Sequence, residues 1–161
     1  MRLLWWRPVE RMELVAVGAH MSGLPLNHQL LSLGGRLVKC CKTSAAYTMH
    51  SLGPRPAMVR VAPGMEHAGR QFEVEVWSLP LHNVGRFLRD GVKPPLCIGD
   101  VLLEDGSQVK GFLGEGYAVA NNSVEDISQW GGWRAYLASK AAVNAVAAPA
   151  QQPPGSSNTS E

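Results

Sequence analysis

The segment "QFEVEVWSLP", residues 71–80, alternates with a period of two: Phe72, Val74 and Val76 point one way, and Glu73, Glu75 and Trp77 the other. A helix advances about 100° per residue and would scatter these side chains around its axis, so the pattern commits the segment to a strand. A strand needs neighbours for its backbone and a layer over its apolar face. Such neighbours are predicted along the chain. MELVAVGA (12–19) is an apolar run closed by glycine, and RLVKCCKT (36–43), AYTMHSL (46–52) and AMVRVAP (57–63) are short strand patterns. CIGDVLLEDGSQVKGFL (97–113) reads as a hairpin turning at Asp105-Gly106, the dipeptide favoured in two-residue type I′ turns. Helical spacing is confined to PLNHQLLSLG (25–34), HNVGRFLRDG (82–91) and WGGWRAYLASKAA (130–142). Six or seven short strands with two or three helices predict an α+β fold, a small barrel-like mixed sheet with flanking helices.

At 161 residues, with 45% hydrophobic and 17% charged side chains, the chain is sized for one domain with a proper core. A net charge of +2, with no run of Lys/Arg interleaved with aromatics, argues against nucleic-acid binding. No window approaches the ~20 apolar residues of a membrane span. Cys40, Cys41 and Cys97 match neither a disulfide framework nor a metal spacing, which points to a reducing compartment and a cytoplasmic location. Residues 1–11, MRLLWWRPVER, carry three arginines and two tryptophans, so organellar targeting is the alternative. The lack of serine and the presence of Pro8 favour a weakly packed extension. From about residue 141 the chain turns to AAVNAVAAPAQQPPGSSNTSE, read as a disordered tail with a helical start. The predicted domain is therefore 12–140.

The stretch "VGAHMSGLPLN", Val17–Asn27, follows the first strand with two glycines around a histidine and a serine. Glycines permit unusual torsions, and successive backbone N–H groups in such a turn form a concavity suited to an anionic group. His20 is then either a turn residue bonded to a carbonyl or a functional group at the mouth of a pocket. The five histidines (20, 28, 50, 67 and 82) contain no i, i+4 pair, so no helical metal site and no metal is expected.

Four motifs, "VAVGAHMSGLPLNHQLLSLGGRLV", "FEVEVWSLPL", "IGDVLLEDGSQVKGFLGEGYAV" and "DISQWGGWRAYL", occur in colinear order between Leu14 and Leu137. In them the chain resembles the C-terminal domain of allophanate hydrolase, a domain similar in fold to the gamma-glutamyl cyclotransferases. The resemblance implies a six-stranded barrel-like sheet and a role in urea and allophanate degradation. There an amidase domain first releases ammonia from allophanate, and the C-terminal domain takes carbon dioxide from the resulting N-carboxycarbamate. The chain is too short to hold the amidase triad as well. The expectation is one domain without its amidase, a separate amidase protein as a partner, and an open question of homodimer formation.

The resemblance gives His20 the role of proton donor to the nitrogen left by departing carbon dioxide. No organic cofactor is implied, because this bond cleavage needs no electron sink. A dicarboxylate substrate calls for a cradle from Ser22, the Gly23 backbone and Asn27, although Ser22 and Asn27 also suit turn and cap chemistry. It calls for fixed positive charge too, from Arg60, Lys110 or Arg134, with at least one pointing into the His20 pocket. Surface exposure is the ordinary alternative for each. Tyr47 offers a phenolic donor, and Glu115 either orients a basic group or flanks a turn. Two further readings remain open. A gamma-glutamyl cyclotransferase needs a carboxylate base near "FLRDG", where Asp90 is the only acid, and its tyrosine-glycine-serine signature is replaced by Gly-Ala-His here. A non-catalytic anion- or partner-binding module would keep the fold alone.

Overall fold

The computed structural model describes residues 8–120 and 123–147. In chain order its elements are β1 (Arg11–Ala16), α1 (Asn27–Ser32), β2 (Arg36–Lys42), β3 (Tyr47–Ser51), β4 (Pro56–Arg60), β5 (Glu73–Pro80), α2 (Leu81–Gly91), β6 (Leu96–Leu102), β7 (Gln108–Gly114), β8 (Glu125–Asp126) and α3 (Trp133–Ala147). The alternating segment is β5, and both of its faces are covered: Val74 and Val76 are buried, but so are Glu75 and Trp77.

Five strands form a mixed sheet in the order β2-β5-β1-β7-β6, and three form an antiparallel sheet, β4-β3-β8. β1 lies at the centre, antiparallel to β5 along its whole length and parallel to β7 at Val15–Gly111. The sheet does not close into a barrel. Its edge strands meet at one end only, where Thr43 bridges Leu103, the Ser44 N–H donates to Leu102 O at 2.9 Å and the Glu104 N–H to Lys42 O at 3.0 Å. Barrel-like is thus a loose description of a sheet curled far enough for its edges to touch. The core between the layers includes Val15, Tyr47, Met49, Met58, Phe72 and Phe112.

Two glycines of β7 set how closely its neighbours approach, β1 within the sheet and β4 from the second sheet. A Cβ on Gly111 would lie 2.6 Å from Val15 Cβ, and one on Gly114 would lie 2.8 Å from Ala57 Cβ. Because the first neighbour is fixed to the β1 backbone, it has no rotamer in which to retreat.

Several expectations change in detail. The β6–β7 turn is a three-residue loop, not a two-residue type I′ turn: Leu103 N–H donates to Ser107 O and Gly106 N–H to Leu103 O, with Gly106 at φ 84°. The Asp105 carboxylate accepts from the hydroxyl and amide of Ser107 and pairs with Lys39, which together hold its pKa down to about 2. The eighth strand, Glu125–Asp126, has no apolar alternation and exists only through pairing with β3. Arg11, grouped with the extension in the sequence reading, starts β1 and ties its guanidinium to Ser78 and Gly34. Residues 141–147, assigned to the tail, continue α3, and residues 1–7 and 148–161 lie outside the described part.

Gly111→Ala should therefore force β1 and β7 apart and destabilise the fold by about 1–3 kcal/mol, the usual cost of overpacking. Gly116→Ala, with nothing within 4 Å, is the control. Urea unfolding midpoints check this: equal midpoints for both variants and the parent would refute the close-approach argument.

Candidate active site

β1 ends at Ala16, and the chain then folds back on itself: Met21 N–H donates to Gly18 O and Leu26 N–H to Ala19 O, each at 2.9 Å. Gly18 is pressed onto Pro56, where a Cβ would come within 2.4 Å of the proline ring, so the turn is held against the start of β4. Among the described residues, the amide N–H groups of Gly18, Ala19 and His20 donate to no protein acceptor. They are the free donors of a buried turn.

His20 is only 6% exposed. Its ring stacks on Phe112 (centroids 4.8 Å, planes 16° apart) and meets Phe87 edge-on at 5.2 Å. Nε2–H donates to Gln29 Oε1 at 2.9 Å, and the Asn27 amide donates to the His20 carbonyl at 2.9 Å. Burial lowers the imidazole pKa below its ordinary value; the Gln29 bond opposes this, and His28 adds to the lowering. Burial thus disfavours the imidazolium form in the free protein. His20 lines a cavity of about 30 Å³ with Val17, Gly18, Ala19, Arg55 and Phe112. Gly91, at the end of α2, borders the same space, and a Cβ there would sit 3.5 Å from His20 Nε2. A shallower groove of about 490 Å³ continues outward along Ala19, Leu26 and Arg55.

The other side of the turn is a clamp. Glu75 Oε2 accepts from Ser22 N–H (2.7 Å), Ser22 Oγ (3.0 Å) and Trp77 Nε1 (3.0 Å), while Oε1 accepts from Arg134 Nη2 at 2.6 Å. Arg134 also donates twice to the Ser22 carbonyl. Burial pushes the Glu75 carboxyl up, but these donors together outweigh it and hold the pKa below the usual range. The cluster borders a separate cleft of about 430 Å³.

The expected convergence of site residues on one cavity is not what the structure shows. Ser22 and Arg134 face the clamp, away from the His20 cavity. Arg60 is exposed, opposite Tyr47 in the β3–β4 register. Lys110 is exposed and paired with Asp100 at 2.7 Å. Glu115 is exposed, Gly23 holds a left-handed turn position (φ 75°), and Tyr47 is fully buried in the interior. Asn27 does not cap α1 but secures the turn through the His20 carbonyl. The cation beside His20 is Arg55, which sequence reasoning passed over because a Gly-Pro-Arg-Pro loop carries no catalytic signature. Gln29 was also missed, being nine residues from His20 and joined to it only by the fold. Asp90 lies outside the cavity, exposed and paired with Arg89. Among the described residues, no group of three or more His, Cys, Asp or Glu is placed to hold a metal, and no helix is long and apolar enough to cross a membrane.

Fold and site together define a small α+β domain with a histidine-lined pocket where its central strand ends. Residues 12–138 match the allophanate hydrolase C-terminal domain family, and the chain belongs to that family. It is 37% identical over 135 residues to the urea amidolyase of Lachancea kluyveri, covering 81% of this chain but only 7% of that protein. Kluyveromyces lactis allophanate hydrolase superposes with a TM-score of 0.74 at 34% identity, over 81% of this chain and 22% of that one. A uropathogenic E. coli-specific protein superposes with a TM-score of 0.71 at 33% identity, over 80% of this chain and 97% of that one.

Glu75→Gln should lower stability by about 2–3 kcal/mol, less than the ~3–5 of a fully buried pair because Arg134 is partly solvated. A depressed carboxyl pKa contributes stability above the ordinary carboxylate pKa and loses it as pH falls through the native value. The gap between variant and parent should hence narrow on acidification. Urea unfolding at neutral and acidic pH measures it, and a gap that widens in acid would contradict the assignment.

Proposed function

We propose that this domain removes carbon dioxide from N-carboxycarbamate, with His20 supplying the proton. The observation that carries this reading is the placement of His20 in a cavity walled by aromatic rings, at a turn with three backbone N–H groups that have no protein acceptor among the described residues. In the step, the bond between nitrogen and one carboxylate carbon breaks, the electron pair stays on nitrogen, and carbon dioxide departs. The imidazolium proton moves to that nitrogen, leaving carbamate. Amide donors fixed in the turn hold the anion without reorganising. The aromatic walls exclude water, so the departing carboxylate loses its hydration.

The low pKa of free His20 fits this cycle. An arriving dianion raises it, loading the ring with the proton that the reaction consumes. An amidase acting on allophanate is the natural source of such a substrate, and a separate amidase protein is the proposed partner; the urea amidolyase of Lachancea kluyveri carries the matching region within a far longer chain. The cyclotransferase reading is disfavoured: Asp90 is outside the cavity, and the α2 residue bordering it is glycine.

His20→Ala and His20→Gln should each lower turnover ~10²–10⁴-fold, the usual cost of losing a proton donor. Carbon dioxide release from N-carboxycarbamate, generated by an amidase-only enzyme, is the assay. Unchanged release in both folded variants would remove His20 from the chemistry. Anion binding with no release above the uncatalysed rate would favour the non-catalytic module. In the parent, kcat/KM should fall as pH rises past a midpoint below about 6.5, the ordinary histidine value. The kcat midpoint should lie higher, because bound dianion holds the proton. Coincident midpoints would argue against charge coupling between substrate and ring.

A further inference from the structure

We infer that Arg55 reads the second carboxylate of the ligand, making the His20 cavity selective for dicarboxylates over monocarboxylates. The inference rests on the His20 reading and adds a residue to it. Among the residues lining the cavity, Arg55 is the one that carries a fixed charge, and it lines the outer groove as well. It therefore stands where a ligand passes from solvent to His20.

The local sequence explains its placement. Arg55 lies in the β3–β4 hairpin loop, Leu52-Gly53-Pro54-Arg55, which closes through Leu52 N–H donating to Arg55 O at 2.9 Å. Gly53 takes the left-handed torsion (φ 91°), and Pro54 and Pro56 restrict the backbone on either side. Pro56 is in turn the contact of Gly18. The loop bearing the guanidinium is thus built against the turn bearing the free amides.

The guanidinium is under-used by the protein. It carries five N–H donors, and its one side-chain hydrogen bond among the described residues runs from Nη2 to the Pro94 carbonyl at 3.1 Å. No carboxylate lies within ion-pair distance of it there, whereas Lys39, Arg89, Lys110, Arg134 and Lys140 are all paired. A planar fork with free donors suits bidentate binding of a carboxylate. The division of labour follows: turn amides take the carboxylate nearest His20, and Arg55 takes the one nearer solvent. The inner cavity of about 30 Å³ is too small for a whole dicarboxylate, so one end must reach the groove that Arg55 borders.

The test is calorimetric titration of the full chain with malonate and with acetate, alongside turnover of N-carboxycarbamate. The parent should prefer malonate. Arg55→Ala should weaken malonate about 10- to 100-fold, the worth of a charge-assisted pair, and leave acetate unchanged. Arg55→Lys should recover part of the loss. Arg60→Ala, at an exposed strand position outside the cavity, should match the parent, and thermal unfolding should show both Arg55 variants folded. Unchanged malonate binding in Arg55→Ala, with the parent still binding and turning over substrate, overturns the role of Arg55 and leaves His20 in place. Equal loss of malonate and acetate would make Arg55 a structural support and overturn the inference too. A parent that neither binds malonate nor releases carbon dioxide sinks the underlying reading itself.

Discussion

A carboxylate buried in the middle of a sheet has to be neutralised and hydrogen-bonded, since an ion stripped of water without partners is too costly to keep. Glu75 meets that requirement with donors from three places: Trp77 on its own strand, Ser22 in the turn after β1, and Arg134 at the start of α3. Satisfying one side chain therefore fixes where the turn sits and where the last helix docks. Arg134 closes the arrangement by donating to the Ser22 carbonyl, so the turn is held through both its amide and its carbonyl. His20, two residues earlier, inherits a defined position without joining the clamp.

On the opposite side of the same turn the physics is apolar. Phe87 and Phe112 come from different elements, α2 and β7, and form a slot around the imidazole. Burial in the slot disfavours the charged form of the ring. Gly91 borders the slot, and its missing side chain leaves space beside Nε2. A polar clamp behind and an aromatic slot in front hold one short turn from both sides. The two glycines of β7 contribute at longer range: Gly111 gives room to Val15 of the neighbouring strand β1, and Gly114 lets β4 of the second sheet approach closely, which brings Pro56, and with it Arg55, to the turn.

The sequence was informative where local periodicity and covalent preference dominate. The β5 alternation, the Asp105-Gly106 turn position and the glycine-bounded helices were readable because each is set by residues adjacent in the chain. The role of Glu75 was not legible for an equally physical reason: alternation assigns a face but does not say whether that face is covered. Here it is covered by a turn 53 residues upstream and a helix 59 residues downstream. The cationic candidates failed likewise. Arg60 and Lys110 had the right chemistry on strands that point outward, and Arg134 had the right chemistry for a different carboxylate.

The sequence by itself determined the strand-rich α+β architecture, the family, and the glycine-flanked turn that carries His20. These follow from short-range patterning and from motifs long enough to be specific. Only the tertiary structure decided that His20 is clasped by Gln29 and two phenylalanines, that Ser22 and Arg134 belong to a structural clamp, and that Arg55 is the cation at the cavity. Each of these is a contact between segments far apart in the chain. Their meeting depends on how closely β1, β4 and β7 pack, and no local pattern records that distance.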